Sequence, residues 1–235
     1  MPLTNALTTR YRIFLFDAGY KGYTRAFLET LYEVLQKRKL KKIGVIHPDL
    51  SDNLEATKAK SLYKDAHENQ PSSFYMLKKA FRRLQLKAQG IHMLDIGCGA
   101  GRVLTFGMLL RFKRVTGVDL DEEGIRKAIC NCRRMQENGY ATDFDISAAD
   151  ACNLKIPDDV NLIYMFNPFG EKTMNTVLDG IISHVKNTGK ELHVIYSNPT
   201  HKAIFDGKPE VTKIHESFFK NKKPDVAIYR IKSER

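Results

Sequence analysis

The chain lacks any apolar run of the roughly 18–20 residues that a membrane-crossing helix needs. Its longest nearly apolar stretches, Ile13–Phe16 and Leu162–Phe166, fall far short of that length. It opens Met1-Pro2-Leu3-Thr4, with no basic segment followed by an apolar core, so no secretory leader is expected. Cysteine is scarce: Cys98, Cys130, Cys132 and Cys152 are the only four in 235 residues. One residue separates Cys130 from Cys132, which matches neither zinc-ligand nor thioredoxin-like spacing, so no metal site is predicted. Few cysteines and no leader point to a reducing cytoplasm, with the thiols serving as small buried hydrophobes. Internal repeats and low-complexity segments are absent too. The length suits one sizeable α/β domain with an extension, or two small domains.

Acidic residues are short in the first third. Residues 1–90 hold 17 lysines and arginines against 8 aspartates and glutamates, whereas residues 91–235 hold 21 against 19. Nearly all of the net charge of +11 therefore sits in the N-terminal region, densest at Lys37-Arg38-Lys39-Leu40-Lys41-Lys42. A field of that sign attracts a polyanion such as nucleic acid or an anionic membrane face. The same run also reads as a solvated helix face.

From Ile91 onward the pattern alternates strand and helix, which predicts a parallel sheet with crossover helices. Strands are expected at Ile91–Ile96, Arg114–Leu120, Ala141–Ile146, Val160–Phe166 and Glu191–Tyr196. Helices are expected at Arg102–Phe112, after Asp121, and at Thr173–Val185. Val211–Phe219 and Val226–Ile231 read as an antiparallel pair around Lys220-Asn221-Lys222-Lys223-Pro224. Upstream, Thr24–Lys37 predicts a helix with Phe27, Leu28, Leu31 and Leu35 on one face. Leu54–Tyr63 and Ser73–Leu86 predict two more, and Tyr11–Phe16 and Lys42–Ile46 are possible short strands. The division expected is a basic, mainly helical extension over 1–69 and a catalytic domain over 70–235.

A glycine turn between a strand and a helix lets a ligand approach the backbone closely. Leu94-Asp95-Ile96-Gly97-Cys98-Gly99-Ala100-Gly101 is such a turn, with the spacing G-x-G-x-G. Dinucleotide enzymes use G-x-G-x-x-G, whose third glycine would fall where Arg102 stands. Asp95 at the strand end would repel a pyrophosphate but would accept from an ammonium. Both features count against an NAD(P) oxidoreductase.

The segment Leu94–Gly101 resembles motif I of the class I S-adenosyl-L-methionine-dependent methyltransferases. That resemblance implies a Rossmann-like, doubly wound, mostly parallel seven-stranded sheet with an antiparallel last strand. It also implies that Asp95, Gly97, Cys98, Gly99 and Gly101 wrap the methionine part of the cofactor. Asp119, with Leu120 after it, lies 18 residues beyond Gly101, near the roughly 20 expected of a ribose-binding acid, although it could instead cap a helix. Asp150, with Ala151, is placed by the resemblance at the adenine amino group, with Asp143 and Asp145 nearby as alternatives.

Asn167-Pro168-Phe169-Gly170 follows the fourth strand and resembles the [DN]-P-P-[YF] motif of enzymes that methylate planar or amino nitrogens. The resemblance implies catalytic roles for Asn167, Pro168 and Phe169, with Asn167 also contacting the cofactor. Asn167 and the next carbonyl would accept from the target nitrogen, and the aromatic would pack on the substrate. One proline stands here where the motif has two, and an Asx-Pro turn is the purely architectural alternative. Tyr196-Ser197-Asn198-Pro199-Thr200-His201 follows the fifth strand on the same edge, while His193 reads as a core residue. Asn69-Gln70-Pro71-Ser72-Ser73 resembles an element that closes over the cofactor in some bacterial relatives, or it is a helix cap. The function expected is methyl transfer to nitrogen on a protein or nucleic acid. A small-molecule methyltransferase and a non-catalytic cofactor-binding module are the alternatives.

Overall fold

A computed structural model describes residues 14–47 and 72–233. Seven strands form one sheet in the order β3-β2-β1-β4-β5-β7-β6. They are β1 His92–Ile96, β2 Arg114–Asp119, β3 Asp143–Ala148, β4 Leu162–Phe166, β5 Leu192–Ser197, β6 Val211–Phe218 and β7 Pro224–Ile231. β7 runs antiparallel to both of its neighbours, and the other observed pairings are parallel. Besides helical residues 14–21, the helices among the described residues are α1 Tyr23–Lys42, α2 Phe74–Arg83, α3 Arg102–Leu109, α4 Glu122–Glu137, α5 Glu171–Thr188 and α6 Lys202–Asp206.

Central strands are covered on both faces, and this dictates their composition. β1 and β5 are buried along their whole length, as is β4 up to Met165. On one face Phe74, Phe81, Phe106, Phe112 and Tyr164 form an aromatic cluster with Leu77, Met93 and Leu104. On the other, Met174, Leu178 and Ile181 of α5 meet Ile163, Val194 and Tyr196. Full burial of a large apolar side chain is worth about 1.5–3 kcal/mol, so these two layers supply the main driving force. α4 starts at Asp121, whose carboxylate accepts from the Glu123 amide, and α5 stops at Gly189 with φ +66°.

Several expectations shift. β3 lies two residues later than predicted because it is an edge strand with no deeply buried position to fix its phase. Residues 14–16 are helical and 43–47 form a turn and an irregular segment, so neither short N-terminal strand forms among the described residues. Residues 11–13, the predicted helix over 54–63 and residues 69–71 lie outside the described residues.

α1 buries a face other than its apolar one. Phe27, Leu28, Leu31 and Leu35 are exposed, whereas Ala26, Glu29 and Leu40 are buried. Charge selects that face: Glu29 accepts from Lys21 and Arg25, and Arg25 reaches Asp225 at the start of β7 at 2.9 Å. Cys98 and Cys132 are buried as expected, but Cys130 and Cys152 are exposed.

Candidate functional site

The glycine turn joins β1 to α3 at the C-terminal edge of the parallel strands. Gly97, Gly99 and Gly101 have φ of +83°, +47° and +75°, the left-handed region that costs a side chain 1–2 kcal/mol or so. Gly101 has a second reason to be glycine. A Cβ there would stand 2.9 Å from the Ala128 Cβ, so its absence lets α4 pack on the turn. Cys98 lies buried beneath the turn, where burial pushes its thiol well up and keeps it protonated.

Asp95 is fully buried, and no described residue donates a hydrogen bond to its carboxylate. Burial and the nearby Asp119 raise its pKa well above the ordinary carboxylate range. A buried acid without a donor suits a cationic ligand group. Asp119 instead fixes the turn: one oxygen accepts from the Gly99 amide at 2.7 Å, and the other from Leu120 at 2.7 Å and Asp121 at 3.0 Å. The Leu120 amide is thereby committed within the protein. Asp121, rather than Asp119, caps α4.

The Ala149 amide donates to the Asp119 carbonyl at 3.0 Å, which holds the ends of β2 and β3 together. Asp150 follows, and one of its oxygens accepts from the Cys152 amide at 2.9 Å, capping a 3-10 turn at Ala151–Asn153. Ala151 is half-buried in the same turn. Asn167 and Pro168 leave β4 beside β1, and Pro168 Cβ lies 3.4 Å from where a Gly97 Cβ would be. Phe169 is half-buried against the core layer under α5. The glycine turn, Asp119, Asp150 and the Asn167 turn therefore share one edge of the sheet.

Sequence reasoning missed the residues that tie the N-terminal region to this edge. Asn131 of α4 donates to the Ile46 carbonyl at 2.9 Å and the Ala100 carbonyl at 3.1 Å, and accepts from the Ile46 amide. Arg102 donates to the Ser72 carbonyl at 2.7 Å, pairs with Glu33 and lies 4.0 Å from the Phe74 ring centre. His47 meets Thr105 at 2.8 Å, and burial lowers its pKa to about 3, so it is neutral. None of these pairings carries a local signature.

Residues 93–189 match the family model described as a methyltransferase domain. With the glycine turn, the buried acid and the strand order, that match is decisive. This stretch is a methyltransferase domain of the Rossmann-like class I fold, a family that takes S-adenosyl-L-methionine as its methyl donor. A 138-residue stretch is 27% identical to an uncharacterized protein of Methanocaldococcus jannaschii; it covers 54% of this chain and 62% of that protein, under two thirds of its length.

Among solved structures, a Pyrococcus horikoshii protein provisionally named an RNA methyltransferase aligns over 80% of this chain and 100% of its own, at 18% identity and a TM-score of 0.50. A TehB-like methyltransferase of Corynebacterium glutamicum covers 77% and 93%, at 16% identity and a TM-score of 0.50. At such identities the likeness is one of fold. Within the methyltransferase domain, Asp95, which accepts from no donor among the described residues, suits the ammonium of S-adenosyl-L-methionine, and the positive-φ glycine turn beside it suits the methionine chain. No group of metal-ligating side chains occurs among the described residues. No described helix is long and apolar enough to cross a membrane.

Proposed function

We propose that the protein transfers the methyl group of S-adenosyl-L-methionine to a nitrogen in a nucleic acid. In this reading Asp95 holds the cofactor's ammonium, Gly97–Gly101 its methionine chain, Asp119 the ribose and Asp150 the adenine amino group. When bound, the cofactor supplies an electrophilic sulfonium methyl with a neutral thioether leaving group. Positioning then does most of the catalysis. Asn167, Pro168 and Phe169 hold the acceptor, because their turn sits against the glycine turn at Gly97.

The observation that carries the nucleic-acid choice is the seat of the basic cluster. Arg38, Lys39, Lys41 and Lys42 are exposed at the end of α1. The turn after them is fixed to α4, where Asn138 and Arg134 donate to the Ile43 and Gly44 carbonyls. Exposed Arg133 lies on that helix, and Asn131 links the same segment to Ala100 in the cofactor turn. A polyanion on this surface would be held in a fixed relation to the methyl donor.

Labelled methyl groups should pass from the cofactor into total RNA or DNA, and nuclease should remove the label; incorporation only into protein would overturn the reading. The triple variant Lys39→Glu, Lys41→Glu, Lys42→Glu should weaken RNA binding at least about tenfold and flatten its salt dependence, since fewer counterions are released. Affinity for S-adenosylhomocysteine should stay unchanged.

A further inference from the structure

Two Asn-Pro turns end adjacent strands, Asn167-Pro168 after β4 and Asn198-Pro199 after β5. The register pairs Phe166 with Ser197, which sets the two turns side by side. Both asparagines take positive φ, +34° and +48°, a conformation that asparagine tolerates better than most residues. The Asn167 amide donates to the Ser197 carbonyl at 3.1 Å.

The side chain of Asn167 is nine-tenths buried, and its carbonyl is already in use. Oδ1 accepts from the Tyr196 hydroxyl at 3.1 Å and from the Thr200 hydroxyl at 2.5 Å. The Tyr196 hydroxyl in turn accepts from the His201 amide at 3.4 Å, so its single proton points to Asn167. A carbonyl oxygen has two acceptor positions, and both are filled. The motif that this turn resembles uses that oxygen to accept from an amino group. Doing so here would break a hydrogen bond inside the protein and strand a hydroxyl. What Asn167 can still offer is an N–H.

We infer that Asn167 meets the methyl acceptor as a hydrogen-bond donor, fixed in that sense by Tyr196 and Thr200. The site thereby selects a nucleobase ring nitrogen beside a carbonyl over an exocyclic amine. This rests on the nucleic-acid reading above. The N–H of Asn167 binds the carbonyl, and the neighbouring ring nitrogen keeps its in-plane lone pair for attack. That pair forms the N–CH3 bond as the S–CH3 bond breaks. The bonding electrons return to sulfur, and the sulfonium's positive charge passes to the ring. No proton has to leave first. Guanine meets these terms at N7 beside O6. Adenine and cytosine, offered through their amino groups, would face a donor with a donor.

The test digests nucleic acid labelled with the methyl donor and identifies the modified nucleoside. Methyl on a proton-free ring nitrogen beside a carbonyl, guanine N7 or cytosine N3, supports the inference, and methyl on guanine N1 or uracil N3, which must first lose a proton, overturns it. Methyl on the amino group of adenine, cytosine or guanine overturns it while leaving the nucleic-acid reading intact. Label confined to protein overturns both. Thr200→Val and Tyr196→Phe, which free the amide to turn, should each lower kcat about tenfold with S-adenosylhomocysteine affinity held within about twofold. Thr200→Ser should restore the rate. If both variants retain full kcat and the same product, Tyr196 and Thr200 do not position Asn167.

Discussion

Asp95 brings two requirements into conflict at one residue. The fold buries it completely, with no donor among the described residues, and burial with Asp119 nearby holds it protonated well above its ordinary range. The ammonium that Asp95 is proposed to hold needs the charged form. In the free protein, Asp95 binds its proton more tightly folded than unfolded, so its contribution to stability falls as pH rises past the ordinary carboxylate range. Binding a cation must expel that proton, so affinity rises with pH over the same window. Asp95→Asn should therefore raise the melting temperature of the free protein and weaken S-adenosylhomocysteine at least about tenfold. It should also flatten the pH dependence of binding, as calorimetry between pH 5 and 8 would read. A variant that binds like the parent would remove Asp95 from the site.

Residues of this kind were legible in the sequence because their chemistry is local. A turn with three positive φ values needs Gly97, Gly99 and Gly101 at fixed spacing, and the spacing alone separates it from a dinucleotide turn. The partners of Asn167 were not legible. Tyr196 and Thr200, 29 and 33 residues away in sequence, reach it only because the β4–β5 register sets the ends of the two strands side by side.

Among the elements, the central strands declared themselves by unbroken apolar runs, and the edge strand β3 was misplaced where burial no longer fixes the phase. α1 departs furthest from its pattern. Its apolar stripe suggested the packed face, yet the helix is anchored by Arg25, Glu29 and Asp225, a pairing that spans 200 residues of sequence. Asp225 also accepts from Ser217 at 3.1 Å and is 6% exposed. Asp225→Ala should cost about 3 kcal/mol, the lower end for breaking a buried ion pair, because Glu29 still serves Arg25. Hydrogen exchange should show α1 amides losing protection before those of the sheet. Equal loss in both would mean that the pair stabilises β7 rather than anchoring the helix.

Over the whole molecule, acid sensitivity follows from histidines buried neutral. His47 falls from an ordinary 6.5 to about 3, chiefly by burial, and burial also lowers His92 and His193. Between those limits the unfolded chain binds the proton and the folded one does not, so stability drops as pH falls from about 6.5 toward 3. Urea midpoints should decline across that range. His47→Gln should make the decline shallower, and an unchanged slope would show that other groups set it.

Asn131 touches both the segment that follows the basic cluster and the glycine turn proposed to hold the methyl donor. Its amide is thus a shared support for two ligands that never meet there. Thermodynamics then imposes a symmetry on them. Whatever factor a bound polyanion applies to cofactor affinity through this support, the cofactor must return to the polyanion in full. An enzyme wired so would hold its substrate differently before and after the methyl group has gone, because the spent cofactor is a different ligand. The same amide that steadies the turn would then help to time the release of product.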